Sequence, residues 1–222
     1  LGAKTYNNRC FPRAASTNHD YGKFENLNAS SWTLGFWPGI LMLNSEISDD
    51  KRFLETASTL IPEFYRRIEN KIGLDTHDLG FMYTLSTVAD YKLTGNEKSR
   101  QTAIKAAEYL CDRFHEKGRF IQAWLEMGNP NEHRFIVDCF LNLPLILWAW
   151  QETGNERFLY VAKAHFETAY NNLLRDDGSS NHTFFVDMET GKPAYAKTHQ
   201  GKSDDSCWSR GQGWIAYGLA LF

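Results

Sequence analysis

The chain is poor in cysteine, and what it has is scattered: Cys10, Cys111, Cys139 and Cys207 stand far apart, with no Cys-x-x-Cys pair. That spacing argues against a zinc knuckle and reads as free thiols, mostly buried, so neither redox compartment is excluded. Cytoplasmic and periplasmic locations both fit. No apolar run approaches the roughly 20 residues of a membrane span, so no membrane association is expected. Positive charge is not in surplus either. The net charge is −3, which leaves no basic field for nucleic acid. No signal peptide is visible, but the chain opens Leu1-Gly2-Ala3 without a methionine, so that absence says little. The histidines show no metal-ligand spacing. His77, His182 and His199 suit hydrogen bonds to hydroxyl groups, or plain loop structure, better than a metal, and no metal or organic cofactor is expected. Oligomeric state is not legible.

What is present is apolar and aromatic, 42% and 14% of 222 residues. That suffices for one sizeable core, and the chain reads as a single domain over 1–222. The first 30 residues are polar and read as an extended arm. Helices of two kinds then alternate. Trp32 to Asn44, Gly80 to Leu93 and Asp138 to Thr153 are apolar nearly all round, as buried helices are. Asp50 to Glu69, Asn96 to Phe114 and Asn155 to Leu174 are amphipathic, with Pro62 predicted to kink the first. The phrase Thr-Gly-Asn-Glu ends at Glu97 and again at Glu156, 59 residues on. It marks one turn in two successive helix pairs, and repeated helical hairpins point to a solenoid or a closed α/α toroid. His182 to Asp187 and Pro193 to Lys197 flank a turn ending at Gly191 and read as an inserted β-hairpin. A fourth apolar helix begins near Ser206, where Ser203 to Ser206 offer N-caps. No outer partner follows it, so the chain reads as part of a longer one, with apolar faces of the Trp32 and Ser206 helices uncovered.

Each apolar helix is preceded by a polar or aromatic cluster: Trp32; His77 and Asp78; Asp138, with Asn142 a possible cap and Pro144 in the first turn; Asp204 and Asp205. In a toroid of antiparallel hairpins the inner helices run one way, so these clusters converge on one rim. Asp78 and Asp138 suit acid/base chemistry on a glycoside, although each read singly is a plain N-cap. A helix N-terminus lowers a carboxyl pKa. Burial beside tryptophan and a second carboxylate would have to raise it for a general acid. In the run Ser203 to Trp214, Arg210 offers a planar fork for a carboxylate. Trp208 and Trp214 offer flat faces for a sugar ring, or simply core. Gly211 and Gly213 permit close backbone approach. Trp124 is again core or platform.

These pieces together resemble the unsaturated glucuronyl hydrolases of glycoside hydrolase family 88. The matching runs are Trp32 to Gly39, His77 to Phe81, Val137 to Pro144, Asp177 to Phe184 and His199 to Trp214, with the two aspartates 60 residues apart. The resemblance implies an (α/α)6 toroid, of which about three and a half hairpins are present. It implies that Asp138 is the general acid/base, protonating C4 of a 4,5-unsaturated uronic acid left at the non-reducing end by a lyase and helping water add at C5. Asp78 would hold ring hydroxyls and tune Asp138. His77 would contact hydroxyls; His182, Gln200 and Arg210 would contact the unsaturated sugar; Trp32, Trp124, Trp208 and Trp214 would line the pocket. The partner implied is an unsaturated uronide such as a glycosaminoglycan disaccharide. With a net negative chain, selectivity for such an anion falls to local groups such as Arg210 and Lys202. Two alternatives remain. One is an unsaturated rhamnogalacturonyl hydrolase of family 105, which tends to carry Arg-Gly-Asn-Gly-Trp where this chain has Arg-Gly-Gln-Gly-Trp. The other is a non-catalytic carbohydrate-binding toroid, which would keep the tryptophans and not need Asp138.

Overall fold

A computed structural model describes residues 2–18, 20–29 and 31–222; His19 and Ser30 of the amino-terminal arm lie outside the described residues. The described chain forms two compact units. The first comprises residues 1–74 and 81–106, the second residues 75–80 and 107–222.

The first unit holds a short helical turn, α1 (Gly2–Thr5), then a 3-10 turn at Trp32–Gly35 leading into α2 (Phe36–Ser48). The arm before it is not a free extended strand. Fully buried Arg67 donates to the carbonyls of Leu27 and Ala29 (2.7 and 3.0 Å), and Arg9 reaches buried Glu63 (2.9 Å). The amphipathic stretch expected as one kinked helix is two helices, α3 (Lys51–Ser58) and α4 (Ile61–Glu69). Pro62 sits in the first turn of α4, where its missing N–H costs nothing. The next apolar segment runs α5 (Leu79–Tyr83), a π-helical turn at Thr84–Val88, and α6 (Ala89–Thr94). Part of the apolar surface of α2 is uncovered, as expected of the Trp32 helix. Leu41 and Met42 are buried, but Ile40, Leu43 and Ile47 are exposed.

α7 (Glu97–Cys111) stops three residues short of the expected end, because Phe114–His115 is a strand, β1, paired antiparallel with β2 (Phe120–Ile121). In the second unit α8 (Cys139–Thr153) packs on α9 (Glu156–Leu173) and on α10 (Ser209–Leu221). Pro144 lies inside α8, not in its first turn, and Asn142 Nδ2 donates to the Asp138 carbonyl (3.3 Å) and is no cap. The expected hairpin exists as β4 (Thr183–Asp187) and β5 (Lys192–Lys197), but a strand the sequence did not reveal, β3 (Arg134–Ile136), pairs with β4 to give the order β3-β4-β5. Phe120, Phe135, Val137, Phe140, Leu173 and Ile215 form the core between this sheet and the helices. Ser203 to Ser206 do not cap α10. Trp208 is its N-cap residue without a side-chain bond, while Ser203 and Ser206 bond each other and Asp204 accepts from the Thr198 N–H. Tyr217 and Leu221 on α10 are exposed.

The repeated phrase builds one turn twice. Gly95 and Gly154 take φ of 71° and 67°, and each donates 2.8 Å back to the carbonyl four residues earlier. The preceding threonine hydroxyl bonds its own i−4 carbonyl, and the following asparagine side chain accepts from the N–H two residues on. A left-handed φ at a helix end suits glycine alone without strain. Gly80 is different: a Cβ there would collide with the main chain of Asn142 in α8. We expect Gly154→Ala, which meets no neighbour, to cost about 1 kcal/mol through φ alone. Gly80→Ala should cost about 2–3 kcal/mol, since main chain has to move. Denaturant unfolding of the two variants beside wild type checks the order; equal losses would contradict it.

Candidate active site

The second unit gathers its polar residues on main chain from five separate segments. Thr76 bridges to Trp124, and the His77 N–H donates to the Ala123 carbonyl (2.8 Å). The Ala123 N–H donates to the Arg134 carbonyl (3.0 Å) at the start of β3, and the Val137 N–H to the His182 carbonyl (2.9 Å) at the start of β4. β4 pairs Thr183 with Lys197 of β5, so Thr198, His199 and Gln200 continue from the same end. Backbone bonds thus bring Asp78, Trp124, Asp138, His182 and His199 together, although no two lie within ten residues of each other in the sequence.

Both carboxyls are part-buried. Asp78 Oδ2 accepts from the Thr76 hydroxyl (2.9 Å), and Asn142 also bonds it. Burial raises its pKa to about 6, against the Thr76 bond, the Arg113 charge and the Asn142 bond. Asp138 occupies the N-cap position of α8 but makes no capping bond. Its Oδ2 is buried with no hydrogen-bond partner among the described residues. Burial first and then the Asp78 charge raise its pKa to about 7, with Arg210 pulling down. A buried carboxyl with an unmet oxygen beside a second acid is not a plain cap. Its proton is held up to near-neutral pH.

The histidines around the pair are neutral. His182 Nδ1 receives the N–H groups of His199 (3.0 Å) and Gln200 (3.4 Å), so its own proton sits on Nε2. That Nε2 is buried without a partner among the described residues, and burial lowers the ring pKa to about 4. At His199 the logic reverses. Arg134, which can only donate, reaches Nε2 (3.1 Å), so Nδ1 carries the proton toward the Thr183 hydroxyl (3.0 Å). His77 is fully buried, which holds its pKa far below the usual value. Its Nε2 lies 3.5 Å from Asp78 Oδ1.

The aromatic surface divides likewise. Trp124 stands edge-on to His77 and His199, with the Arg134 guanidinium 4.9 Å over its ring. Trp208 lies 4.3 Å from the His182 ring and carries the Arg210 guanidinium at 4.5 Å. Arg210 donates to Gln200 Oε1 (2.6 Å) and is exposed. Gly211 lets the helix close on Trp208 and Val137, whereas Gly213 meets nothing. Trp214 is part-buried against the core of this unit. Trp32 belongs to the first unit, where it packs on Phe36 and Phe81 at 5.5 Å. The sequence reading missed Thr76, Arg113 and Arg134. Thr76 was discoverable as a hydroxyl two residues before the acid; the arginines carry no local signal.

The family model described as Glycosyl Hydrolase Family 88 matches residues 6–222. The unsaturated chondroitin disaccharide hydrolase of Streptococcus pneumoniae (strain ATCC BAA-255 / R6) is 44% identical over 211 residues, covering 95% of this chain and 52% of that protein. The unsaturated glucuronyl hydrolase of Bacillus sp. (strain GL1) is 41% identical, covering 95% of this chain and 55% of that protein. The helix-rich fold with its small antiparallel sheets matches a crystal structure of unsaturated glucuronyl hydrolase from Streptococcus agalactiae with a TM-score of 0.92 at 43% identity, over 99% of this chain and 55% of that one. The chain therefore spans about half the length of the curated relatives it matches. With the match running almost end to end and relatives above two-fifths identical, the chain belongs to glycosyl hydrolase family 88.

Proposed function

We propose that the protein carrying this chain releases the 4,5-unsaturated uronic acid from the non-reducing end of lyase-generated oligosaccharides, glycosaminoglycan-type disaccharides among them. The observation that carries this reading is the buried Asp138 carboxyl, raised to about 7 beside Asp78 and left with an unpartnered oxygen. The names of the relatives, hydrolases of unsaturated chondroitin disaccharide and of unsaturated glucuronyl groups, set the substrate class. The helix pairs are read as part of an (α/α)6 toroid in one glycosidase domain, of which this chain supplies about three and a half hairpins.

The chemistry asks for a proton and a water. A vinyl ether is electron-rich at C4, so Asp138 gives its proton there and positive charge develops at C5 and the ring oxygen. Water adds at C5 and returns a proton to Asp138. The hemiketal so formed opens by breaking the bond from C5 to the ring oxygen, leaving a ketone at C5. The ring oxygen remains on C1 as a hydroxyl, and that hemiacetal collapses to an aldehyde, expelling the shortened saccharide. Asp78, ionised, holds ring hydroxyls and its charge keeps Asp138 protonated. His182 offers its Nε2–H, Gln200 and Arg210 face the uronate, His77 backs Asp78, and the rings of Trp124, Trp208 and Trp214 line the sugar. Arg210 leaves Gln200 for the substrate carboxylate, a bidentate partner that suits its fork better.

Three outcomes are expected. Asp138→Asn in the full-length protein should lower kcat by about 10²–10⁴ on an unsaturated chondroitin disaccharide, with KM little changed. Loss of the near-ultraviolet absorbance of the double bond measures this, and near-wild-type kcat on every unsaturated uronide tried would end the assignment. Activity requires Asp78 ionised and Asp138 protonated. The kcat/KM profile should therefore be a narrow bell with limbs near 6 and 7; a profile flat from pH 5 to 9 would contradict it. Stability should follow the same carboxyl. Folded Asp138 keeps its proton to about 7, and an unfolded chain only to ~3.9. Between those values the folded state binds more protons, so wild type loses stability as pH rises. Asp138→Asn does not titrate, and its thermal stability relative to wild type should climb from pH 4 to pH 8.

A further inference from the structure

Arg113 is a cation in an unusual position. It follows α7, is only 3% exposed, and forms no ion pair within reach among the described residues. Its guanidinium spends its donors on main chain instead: Nε on the Gln122 carbonyl (2.9 Å) and Nη2 on the Leu125 carbonyl (3.0 Å). Gln122, itself fully buried, does the same with its amide, which donates to the carbonyls of Trp124 (2.8 Å), Leu125 (3.3 Å) and Glu126 (3.1 Å). The Gln122 N–H in turn bonds the Arg113 carbonyl (3.0 Å), and its Oε1 meets the His115 ring (3.0 Å). Two buried side chains thus hold four consecutive or near-consecutive carbonyls of one loop. Leu125 has φ of 60°, a left-handed conformation strained for a γ-branched residue, and its side chain is exposed. The loop carries Trp124, and through the Thr76 bridge and the His77 bond it also carries the segment that ends in Asp78.

We propose that Arg113, with Gln122, is a positioning residue: it clamps the strained loop that presents Trp124 and stands as the buried counter-charge behind Asp78. The inference rests on the unsaturated-uronide reading above. The groups that face Asp78 are Thr76 and Asn142 by hydrogen bonds, His77 beside it, Asp138 across the pair, and Arg113 behind. Among these Arg113 alone carries positive charge, because His77 is held neutral. Asp75 shares that cation. Removing the charge should raise the pH at which Asp78 ionises and leave the upper limb, set by Asp138 under Arg210, in place. Removing only the clamp should loosen Trp124 and leave both limbs alone.

The test uses the full-length protein and three variants, with thermal unfolding as a check on folding. Arg113→Met removes charge and clamp; Arg113→Lys keeps the charge but cannot make the forked bonds; Gln122→Met removes the second half of the clamp and no charge. On an unsaturated chondroitin disaccharide, KM should rise about fivefold or more in all three, with kcat at its optimum falling less. The acidic limb of kcat/KM should move up by about half a unit or more in Arg113→Met only. A purely structural role would lower active fraction without splitting KM from kcat or moving one limb. If Arg113→Met does not fold, Arg113→Lys and Gln122→Met still decide, since unchanged KM in both overturns the clamp. An acidic limb that stays put in folded Arg113→Met overturns the counter-charge. Wild type inactive on every unsaturated uronide would instead sink the reading on which the inference rests.

Discussion

The site depends on main-chain hydrogen bonds between segments that share no sequence neighbourhood. The bond from Val137 N–H to the His182 carbonyl is the plainest case. It fixes where β3 hands over to α8, and therefore where Asp138 leaves the sheet. On one side it continues through the β3-β4-β5 ladder to His199 and Gln200; on the other, through Ala123 and Trp124 to Thr76 and Asp78. Backbone ladders position groups more stiffly than side-chain contacts do, because each peptide unit has few soft dihedrals. Two acids carried on such a frame share one environment, each carboxyl feeling the other's charge.

Opposed forces set the state of that pair. The N-terminus of α8 favours an ionised carboxyl at Asp138. Yet Asp138 makes no cap, and burial and the Asp78 charge act the other way. Desolvation scales with the whole charge, whereas the helix end offers about half a charge that falls off within a turn. Burial wins. Asp78 has the same burial but also Thr76, Asn142 and the Arg113 charge to support its anion. The two acids are therefore pushed apart in role by their neighbours, not by their own chemistry.

How much of this was legible follows the range of the interactions. The turns ending at Glu97 and Glu156 are local, decided by a glycine at the helix end and the threonine and asparagine beside it, and they form as read. The β4-β5 hairpin is local too. β3 is three residues long and pairs 51 residues downstream, Arg134 with Phe185, so no local pattern marks it. Ser203 to Ser206 look like caps because short polar side chains usually serve helices. Here the loop uses them for its own bonds, and α10 starts three residues later. Asp78 and Asp138 could be named from their place before apolar helices. Arg113 could not, since a buried arginine looks like any other until the loop it holds is seen.

The neutral histidines bear on how such a site would treat an anionic sugar. His182 and His199 lie close to Asp138 and Trp124 yet carry no charge, the first because burial forbids a second proton and main-chain N–H groups occupy its acceptor, the second because burial, and after it the Arg134 charge, lowers its pKa. Were either cationic, it would stabilise the Asp138 anion and lower the pKa of that carboxyl. Under the proposed reading, positive charge for a substrate carboxylate comes instead from Arg210, exposed and stacked on Trp208, whose pull on Asp138 solvent weakens. Under that reading a bound substrate would exclude solvent and strengthen the Arg210 contact with its carboxylate. The incoming anion then neutralises the one cation that would pull the Asp138 pKa down, so under the proposed reading binding itself helps keep the proton on the acid until C4 takes it.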